Sequence, residues 1–300
     1  MLEPGVYPAA VPPMTADGAV AGPSVARLLA YFEAAGCKGV VLAGTNGEGP
    51  SLSAYEKRDL LRLANSCKGT LQLVLGVATP SLDEARWLCE QGGKNVAGAV
   101  LAMPPSYFRA ATEEGILEWF TTLADGSPVP ILAYNFPKMT GFTMSSAFIA
   151  ELAAHPNVVG FKDSSGEPAN LATFSPRPSG GEGSGVRGNR ERKLFVGDET
   201  LLMDALAEGW TGTISGAANC VPQWLSQVVA ARDAVKFSVV LPVIKAIRSQ
   251  PQPATNKAVL HALGVISTPH PRLPLKATDP RPVLEAMEHH LGITAANLAL

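Results

Sequence analysis

The feature that most constrains the fold of this 300-residue chain is the regular alternation of short apolar runs with amphipathic helical patterns. Runs that are apolar throughout are typical of parallel strands buried on both faces. Eight such runs are bounded by turn residues, at 6–11, 39–43, 71–77, 97–102, 130–134, 158–161, 193–196 and 211–215. Eight successive strand–helix units predict an α/β fold, a closed (β/α)8 TIM barrel. An open, doubly wound sheet is the second possibility.

Two helices of this repeat carry recognisable start signals. Ser53 and Ser81 each precede a helical pattern and are followed three residues later by a glutamate. In such a capping box the serine side chain accepts a hydrogen bond from the helix, and the glutamate returns one to the serine backbone. We therefore predict helices that begin at both positions.

The last part of the chain departs from the repeat. From residue 233 onward only helical patterns occur, at 235–247, 254–263 and 282–290, so we predict a barrel over 1–232 and a C-terminal helical region over 233–300. Residues 175–192 are rich in glycine and arginine and nearly devoid of apolar side chains, which predicts a flexible loop. Because this loop joins a helix to a strand, we expect it on the barrel face opposite the active site.

Composition excludes several classes of partner. The net charge is −2 and the basic residues are scattered, which argues against nucleic acid. No apolar stretch approaches the roughly 20 residues that a bilayer requires, and the N-terminus lacks a signal-peptide pattern, so we expect a cytoplasmic protein without membrane contact. The four cysteines and five histidines show no disulfide or metal-ligand spacing, which predicts reduced thiols, structural histidines and no metal.

Lys162 is the candidate nucleophile. It directly follows the apolar run 158–161 and precedes the polar turn 163–166. Burial disfavours a charged ammonium group, and the neutral amine is the form that attacks a ketone to make a Schiff base. A lysine that extends from the strand end into solvent is the alternative. The motif alone leaves both possibilities open.

Other strand ends carry further candidate residues, because active sites of such barrels lie at the C-terminal ends of the strands. In the turn 44–49, glycines surround Thr45 and Asn46, so that N–H groups can converge on a carboxylate, although an ordinary turn is equally compatible. Tyr134 ends the fifth run and can relay protons or simply pack. The glycines of 212–216 form either a phosphate cradle or, as we slightly favour, a close approach to a ligand.

Three motifs along the repeat carry a resemblance to a known family. They are Gly44-Thr45-Asn46-Gly47-Glu48, Tyr134-Asn135-Phe136-Pro137 followed by Thr140-Gly141, and Gly160-Phe161-Lys162-Asp163-Ser164. Over nearly its whole length the chain resembles the dihydrodipicolinate synthase and N-acetylneuraminate lyase family, the Schiff-base pyruvate aldolases. The order and spacing of the three motifs together make the resemblance far more specific than any single motif would.

The resemblance implies a role for each motif residue. Lys162 would form the imine with pyruvate, without any other cofactor, and Tyr134 would shuttle protons in a relay with Thr45. Tyr107 from a neighbouring subunit would complete that relay, which implies a homo-oligomer, either a dimer or a dimer of dimers. A loop folded over its own barrel is the alternative for Tyr107. The positions expected around the substrate are Gly44, Thr45, Asn46, Met139 and Ile214.

Departures from the family pattern bear on the second substrate. Where this chain has Met139, dihydrodipicolinate synthases have an arginine that binds the far carboxylate of aspartate semialdehyde. The thioether of methionine cannot replace the two-point hydrogen bonding of a guanidinium group. We expect the adjacent Lys138 to point elsewhere. Asn46 resembles the hydroxy-oxoglutarate and sugar-acid aldolases more closely, Ser106 replaces an aromatic residue, and the 175–192 segment is an addition.

The function predicted from the sequence is therefore that of a lyase. It would make or break a carbon–carbon bond between pyruvate, held on Lys162, and an aldehyde, as in a 2-oxo acid aldolase of the hydroxy-oxoglutarate or sugar-acid type. A genuine 4-hydroxy-tetrahydrodipicolinate synthase and a non-catalytic 2-oxo acid binding protein are the alternatives.

Overall fold

The centre of the molecule is a ring of parallel strands. The computed structural model describes residues 2–175 and 192–294. Within these residues there are eight strands: β1 (Gly5–Pro8), β2 (Gly39–Leu42), β3 (Gln72–Val77), β4 (Ala99–Ala102), β5 (Ile131–Asn135), β6 (Val158–Asp163), β7 (Lys193–Val196) and β8 (Gly212–Ser215). Each predicted run overlaps one of them.

The order of the strands confirms the TIM barrel. Each strand from β2 to β8 pairs in parallel with the next along the chain, and β8 pairs with β1. A parallel bridge between Ala9 and Val41 joins the β1 side to β2 and closes the ring. β1 ends before the predicted residue 11. The Ala9 and Ala10 N–H groups still donate to Ser215 O at 2.8 Å and Val41 O at 3.0 Å, but the Val11 N–H donates to the side chain of Asn219 at 3.1 Å. This cyclic order rules out the open, doubly wound sheet.

Helices surround the ring and continue beyond it. Within the described residues they are α1 (Gly22–Ala34), α2 (Ala54–Cys67), α3 (Leu82–Lys94), α4 (Glu113–Gly126), α5 (Pro137–Thr140), α6 (Ser146–Ala154), α7 (Pro168–Phe174), α8 (Leu202–Ala207), α9 (Pro222–Ala231), α10 (Ala234–Arg248), α11 (Ala254–Ala262) and α12 (Arg281–Leu291). The last three correspond to the helical patterns predicted after residue 233. The 175–192 segment falls almost entirely on residues 176–191, which lie outside the described residues.

Only one of the two predicted capping boxes is complete. Ser53 exchanges both hydrogen bonds at the start of α2. Ser81 caps α3, but the Glu84 carboxylate accepts a hydrogen bond from Thr79 Oγ1 at 3.0 Å and pairs with Lys57 at 3.6 Å. The Lys57 side chain is only 4% exposed, so its buried ammonium group requires this partner. The prediction of a second complete box is therefore wrong.

Two apolar layers explain why the strands are apolar on both faces. Successive side chains of a strand point to opposite sides. One set packs against the helices, and the other fills the barrel interior, where the side chains are Tyr7, Val41, Val74, Leu101, Leu132, Tyr134, Phe195 and Ile214. A packed interior leaves the strand ends as the place for a ligand.

The cysteines form no disulfide, and burial keeps them unreactive. All four cysteines are free, and burial raises the pKa of the Cys89 thiol to about 11, so it stays protonated and unreactive at neutral pH. No helix in the described part of the chain is long and apolar enough to cross a membrane.

Candidate active site

A cavity of about 280 Å³ lies at the C-terminal ends of the strands. Residues that follow β2, β5, β6, β7 and β8 line it, together with residues from α10 and the turn before α11. A larger cavity of about 630 Å³ lies at the opposite end, around Gly5, Leu194 and Thr211, and contains none of the motif residues. The smaller cavity is thus the one that the sequence motifs share.

Lys162 projects into this cavity from β6. The residue is 5% exposed, and it lies beside Tyr134 in the strand register. Its Nζ atom is 4.1 Å from the centroid of the Tyr134 ring, where the negative face of an aromatic ring attracts a cation. Lys162 is therefore enclosed in the cavity and does not extend to solvent.

Ser164 extends this pair and was not predicted as a site residue. Its Oγ donates to Tyr134 Oη at 3.3 Å, which places two hydroxyl groups side by side near the lysine. Gly197, at the end of β7, permits this arrangement. A Cβ atom at that position would lie 1.9 Å from Ser164 Oγ and 2.8 Å from Lys162 Cε. Ser164 follows a strand end two residues after the lysine, so its position in the sequence was a usable signal.

A buried polar contact joins the ends of β5 and β6. Asn135 Nδ2 donates to Asp163 Oδ1 at 2.6 Å, and Ser165 Oγ donates to Asp163 Oδ2 at 2.7 Å. Burial raises the pKa of Asp163, and these hydrogen bonds oppose the shift. Tyr134 precedes Asn135 and Lys162 precedes Asp163, so this contact holds Tyr134 and Lys162 next to each other.

Thr45 and Asn46 reach the cavity from the loop after β2. Within this loop the Glu48 N–H donates to Thr45 O at 3.3 Å and the Gly49 N–H donates to Gly44 O at 2.9 Å. Two of its N–H groups are thus used internally, as in an ordinary turn, and the side chains of Thr45 and Asn46 face the cavity. Gly44 is buried and does not line it.

The mouth of the cavity combines apolar, basic and acidic side chains. Met139 lines it and is 49% exposed, and Lys138 lines it as well. We expected Lys138 to point elsewhere, but 137–140 form the helical turn α5, and Lys138 and Met139 line the same cavity. Arg248 Nη1 donates to Glu199 Oε2 at 2.8 Å, and Arg248 Nη2 donates to Asp198 Oδ2 at 2.6 Å.

Two predicted residues have contrasting positions. Ile214 lines the cavity from β8 and is 1% exposed. Tyr107 is 79% exposed, contacts Phe108 with ring centroids 5.3 Å apart, and does not line the cavity of its own chain. Among the residues with described placement, no group of three or more His, Cys, Asp or Glu side chains is arranged to hold a metal ion.

Comparison with known proteins assigns the chain to a family. A sequence model of the dihydrodipicolinate synthetase family matches residues 3–289. The chain belongs to the dihydrodipicolinate synthetase family. Members of this family are lyases of the class I aldolase type, and this protein is a lyase of that type.

Relatives of this family are similar over almost their whole length. The 4-hydroxy-tetrahydrodipicolinate synthase of Polynucleobacter asymbioticus is 31% identical, with 90% of this chain and 88% of the relative covered. A dihydrodipicolinate synthase variant described as monomeric superposes with a TM-score of 0.87 at 24% identity, covering 99% of this chain and 98% of that one. The chloride-inhibited enzyme of Acinetobacter baumannii, solved with pyruvate, has a TM-score of 0.85 at 26% identity, covering 96% and 98%.

Proposed function

We propose that this protein forms an imine between Lys162 and a 2-oxo acid such as pyruvate, and that it joins that acid to an aldehyde or cleaves the product. The observation that carries this proposal is the enclosed Lys162 amine over the Tyr134 ring, inside a cavity at the C-terminal strand ends. An enclosed amine close to hydroxyl groups can attack a ketone and exchange protons.

The surrounding groups support a role for each part of the substrate. The carboxylate of the 2-oxo acid would bind to Thr45 and Asn46, both of which offer hydrogen-bond donors across the cavity. Tyr134 would carry protons to and from the reacting atoms, assisted by Ser164. Gly44 is buried in the same loop as Thr45 and Asn46, and Ile214 forms part of the cavity wall.

The reaction follows from the electronic properties of the imine. Lys162 Nζ adds to the keto carbon, and loss of water gives a protonated imine. The adjacent methyl group becomes acidic because the imine nitrogen can accept its electron pair, so loss of a proton gives an enamine. The enamine then attacks an aldehyde, and water releases the product from the lysine. In the reverse direction the same steps cleave a 4-hydroxy-2-oxo acid.

The mouth of the cavity suits an aldehyde that carries hydroxyl groups or a second carboxylate. Asp198 and Glu199 both pair with Arg248, and Lys138 lines the same mouth, so two acidic and two basic side chains offer hydrogen-bond acceptors and donors there. Carboxylate oxygens accept hydrogen bonds from hydroxyl groups, and basic side chains can bind a second carboxylate. We therefore infer a 2-oxo acid aldolase of the hydroxy-oxoglutarate or sugar-acid type.

A panel of 4-hydroxy-2-oxo acids tests this function. Each acid is offered to the purified protein, and the release of pyruvate is followed with a coupled dehydrogenase. Cleavage of acids with neutral, hydroxylated chains and not of their dicarboxylic counterparts would support the sugar-acid type. Preference for the dicarboxylic acids would instead favour the hydroxy-oxoglutarate type, and no release from any of them would contradict aldol cleavage.

A genuine 4-hydroxy-tetrahydrodipicolinate synthase remains the second candidate. Lys138 favours it, because this residue lines the cavity next to Met139 and its ammonium group could bind the far carboxylate of aspartate semialdehyde. The names of the relatives also favour it. If Lys138 is this anchor, Lys138→Ala should sharply reduce the condensation of pyruvate with aspartate semialdehyde.

We expect poor condensation of pyruvate with aspartate semialdehyde in the natural protein, with kcat/KM below ~10⁴ M⁻¹s⁻¹. Met139 cannot make the two-point contact of an arginine with a carboxylate, and loss of such a buried pair costs about 2–5 kcal/mol. Met139→Arg should therefore raise kcat/KM for this substrate by tens to thousands of fold. Initial rates over a range of aldehyde concentrations measure the change.

Met139→Leu is the matched control, because it changes the same side chain without adding charge. It should leave the rate with aspartate semialdehyde low. The prediction is wrong if the natural protein already reaches ~10⁴ M⁻¹s⁻¹ or if arginine brings no gain over leucine.

We further propose that the active site is shared between two copies of this chain. Tyr107 and Phe108 are 79% and 70% exposed in the single chain, and two prolines precede them in the same loop. Exposed aromatic side chains are typical of residues that become buried in an interface. Insertion of Tyr107 into a neighbouring cavity would bring a further hydroxyl group to the Thr45 and Tyr134 pair.

Mixing two inactive variants is expected to restore activity. Tyr107→Phe removes the shared hydroxyl group. A positioned proton-transfer group raises a reaction rate about 10²–10⁴-fold, so this variant should lose a similar factor in rate. Lys162→Ala removes the nucleophile. In a mixed dimer, Lys162 of one chain meets Tyr107 of the other, so an equal mixture should regain about a quarter of the natural activity under two-fold symmetry.

The oligomeric state is measured alongside this assay by light scattering and by differential tagging. If tagged mixed oligomers form and show no recovery, Tyr107 acts within its own chain. A monomeric protein with full activity would also exclude the shared site.

A further inference from the structure

Asn256, on α11, contacts the carboxylate-binding loop from outside the barrel. It is fully buried, and its Nδ2 donates both to Gly216 O at 3.1 Å and to Asn46 Oδ1 at 3.2 Å. Its Oδ1 accepts a weak hydrogen bond from Cys220 Sγ at 3.6 Å. Each of these three contacts therefore joins a hydrogen-bond donor to an acceptor.

These contacts determine which edge of the Asn46 amide faces the substrate. Asn256 cannot rotate its amide, because its oxygen would then oppose Gly216 O. Asn46 must therefore keep Oδ1 toward Asn256, and its Nδ2 lies on the other side. A Cβ atom on Gly216 would lie 2.8 Å from Asn46 Nδ2 and 2.7 Å from Gln252 Oε1, so this nitrogen lies near two residues that line the cavity. The N–H groups of Asn46 thus remain available on the cavity side.

The next residue of α11 holds the same loop. The Lys257 ammonium group forms an ion pair with the Glu48 carboxylate, and both side chains are completely buried. Glu48 lies two residues after Asn46, so adjacent positions of one helix support both the side chain and the backbone of the loop. The loop is therefore held by the C-terminal helices as well as by β2.

We propose that Asn256 is a positioning residue that directs the Asn46 N–H groups at the carboxylate of the bound 2-oxo acid. The inference rests on the proposed function, because it assumes that this cavity binds such an acid. An unsupported Asn46 amide can present its oxygen to the substrate, and an oxygen repels a carboxylate. Asn256 touches no substrate itself and acts on affinity through Asn46.

Trapping of the imine with borohydride tests this role through Asn256→Val. We expect the pyruvate concentration for half-maximal trapping to rise about 10-fold or more, the scale of one hydrogen bond to a charged group. The trapped fraction at saturating pyruvate should stay close to that of the natural protein. Methyl pyruvate has the same keto group and no carboxylate, so its half-maximal concentration should change little.

Thr255→Val is the matched control. Thr255 is equally buried on the same helix, but its hydroxyl donates to Pro251 O at 2.8 Å and does not contact the loop. It should leave pyruvate trapping unchanged. If Asn256→Val does not fold, Asn256→Asp replaces it, because an acceptor at this position forces Asn46 to turn its N–H groups away from the cavity.

The outcomes separate the two proposals. Absence of an adduct on Lys162 in the natural protein would contradict the proposed function. An adduct in the natural protein, with equal effects of the Asn256 change on pyruvate and methyl pyruvate or no effect on either, would overturn the positioning role alone.

Discussion

Lys162→Arg is expected to abolish imine formation and to lower activity by roughly 10⁴-fold or more, the scale on which loss of a covalent nucleophile acts. Arginine keeps the positive charge beside the Tyr134 ring but cannot lose a proton to attack a carbonyl. Mass spectrometry after borohydride reduction with pyruvate should find the reduced adduct on the Lys162 peptide of the natural protein and on no peptide of the variant.

Lys138→Arg is the matched control, since Lys138 lines the same cavity but is exposed at its mouth. This variant should still be trapped on Lys162. An adduct on another lysine would contradict the mechanism. A protein that binds pyruvate without any adduct would be the non-catalytic binding protein that the sequence left as an alternative. Unchanged thermal unfolding of Lys162→Arg would show that the loss is chemical.

Lys257→Met is expected to lower the free energy of unfolding by about 3–5 kcal/mol, because it leaves a buried carboxylate without its counter-charge. The Glu48 side chain is completely buried, and after the change it would keep the hydrogen bond from the Arg272 N–H at 2.8 Å. Burial already lowers the pKa of Lys257, and the Glu48 carboxylate opposes that shift. Urea denaturation measures the change.

A second substitution distinguishes the lost charge from lost packing. Glu48→Gln combined with Lys257→Met removes both charges, and replacement of a complete buried pair is often nearly neutral, so most of the stability should return. Lys245→Met, at an exposed position of α10, should change stability by no more than about 0.5 kcal/mol. A double variant as unstable as Lys257→Met would show that methionine disturbs the packing and that the charge is not the cause.

The barrel could be predicted because its strands are marked locally. Each strand is apolar on both faces and ends at turn residues, so composition over five or six residues was sufficient. The loss of strand pairing at Val11 could not be predicted, because the side chain of Asn219, more than two hundred residues away, accepts the hydrogen bond of the Val11 N–H. The second capping box failed for a similar reason, since Lys57 of another helix binds the glutamate.

The residues of the candidate site likewise fall into a group that the local sequence predicts and a group that it does not. Lys162, Tyr134, Thr45 and Asn46 lie directly at strand ends, where the repeat itself predicts a ligand site. Arg248 and Asn256 come from helices that follow the barrel, and nothing in their local pattern indicates that Arg248 lines the cavity or that Asn256 contacts the loop behind it. Their roles depend on packing between distant segments, which a single sequence does not specify.

The origin of the cavity walls has a consequence for how such proteins diversify. The groups nearest Lys162 are distributed over many strand ends, whereas Arg248, Gln252 and Pro253 come from one stretch of six residues. Exchange of that stretch between relatives could change the preferred aldehyde while the bond-forming apparatus is left intact. Substrate range in this family could therefore evolve, or be engineered, through a short segment at the C-terminal side of the gene.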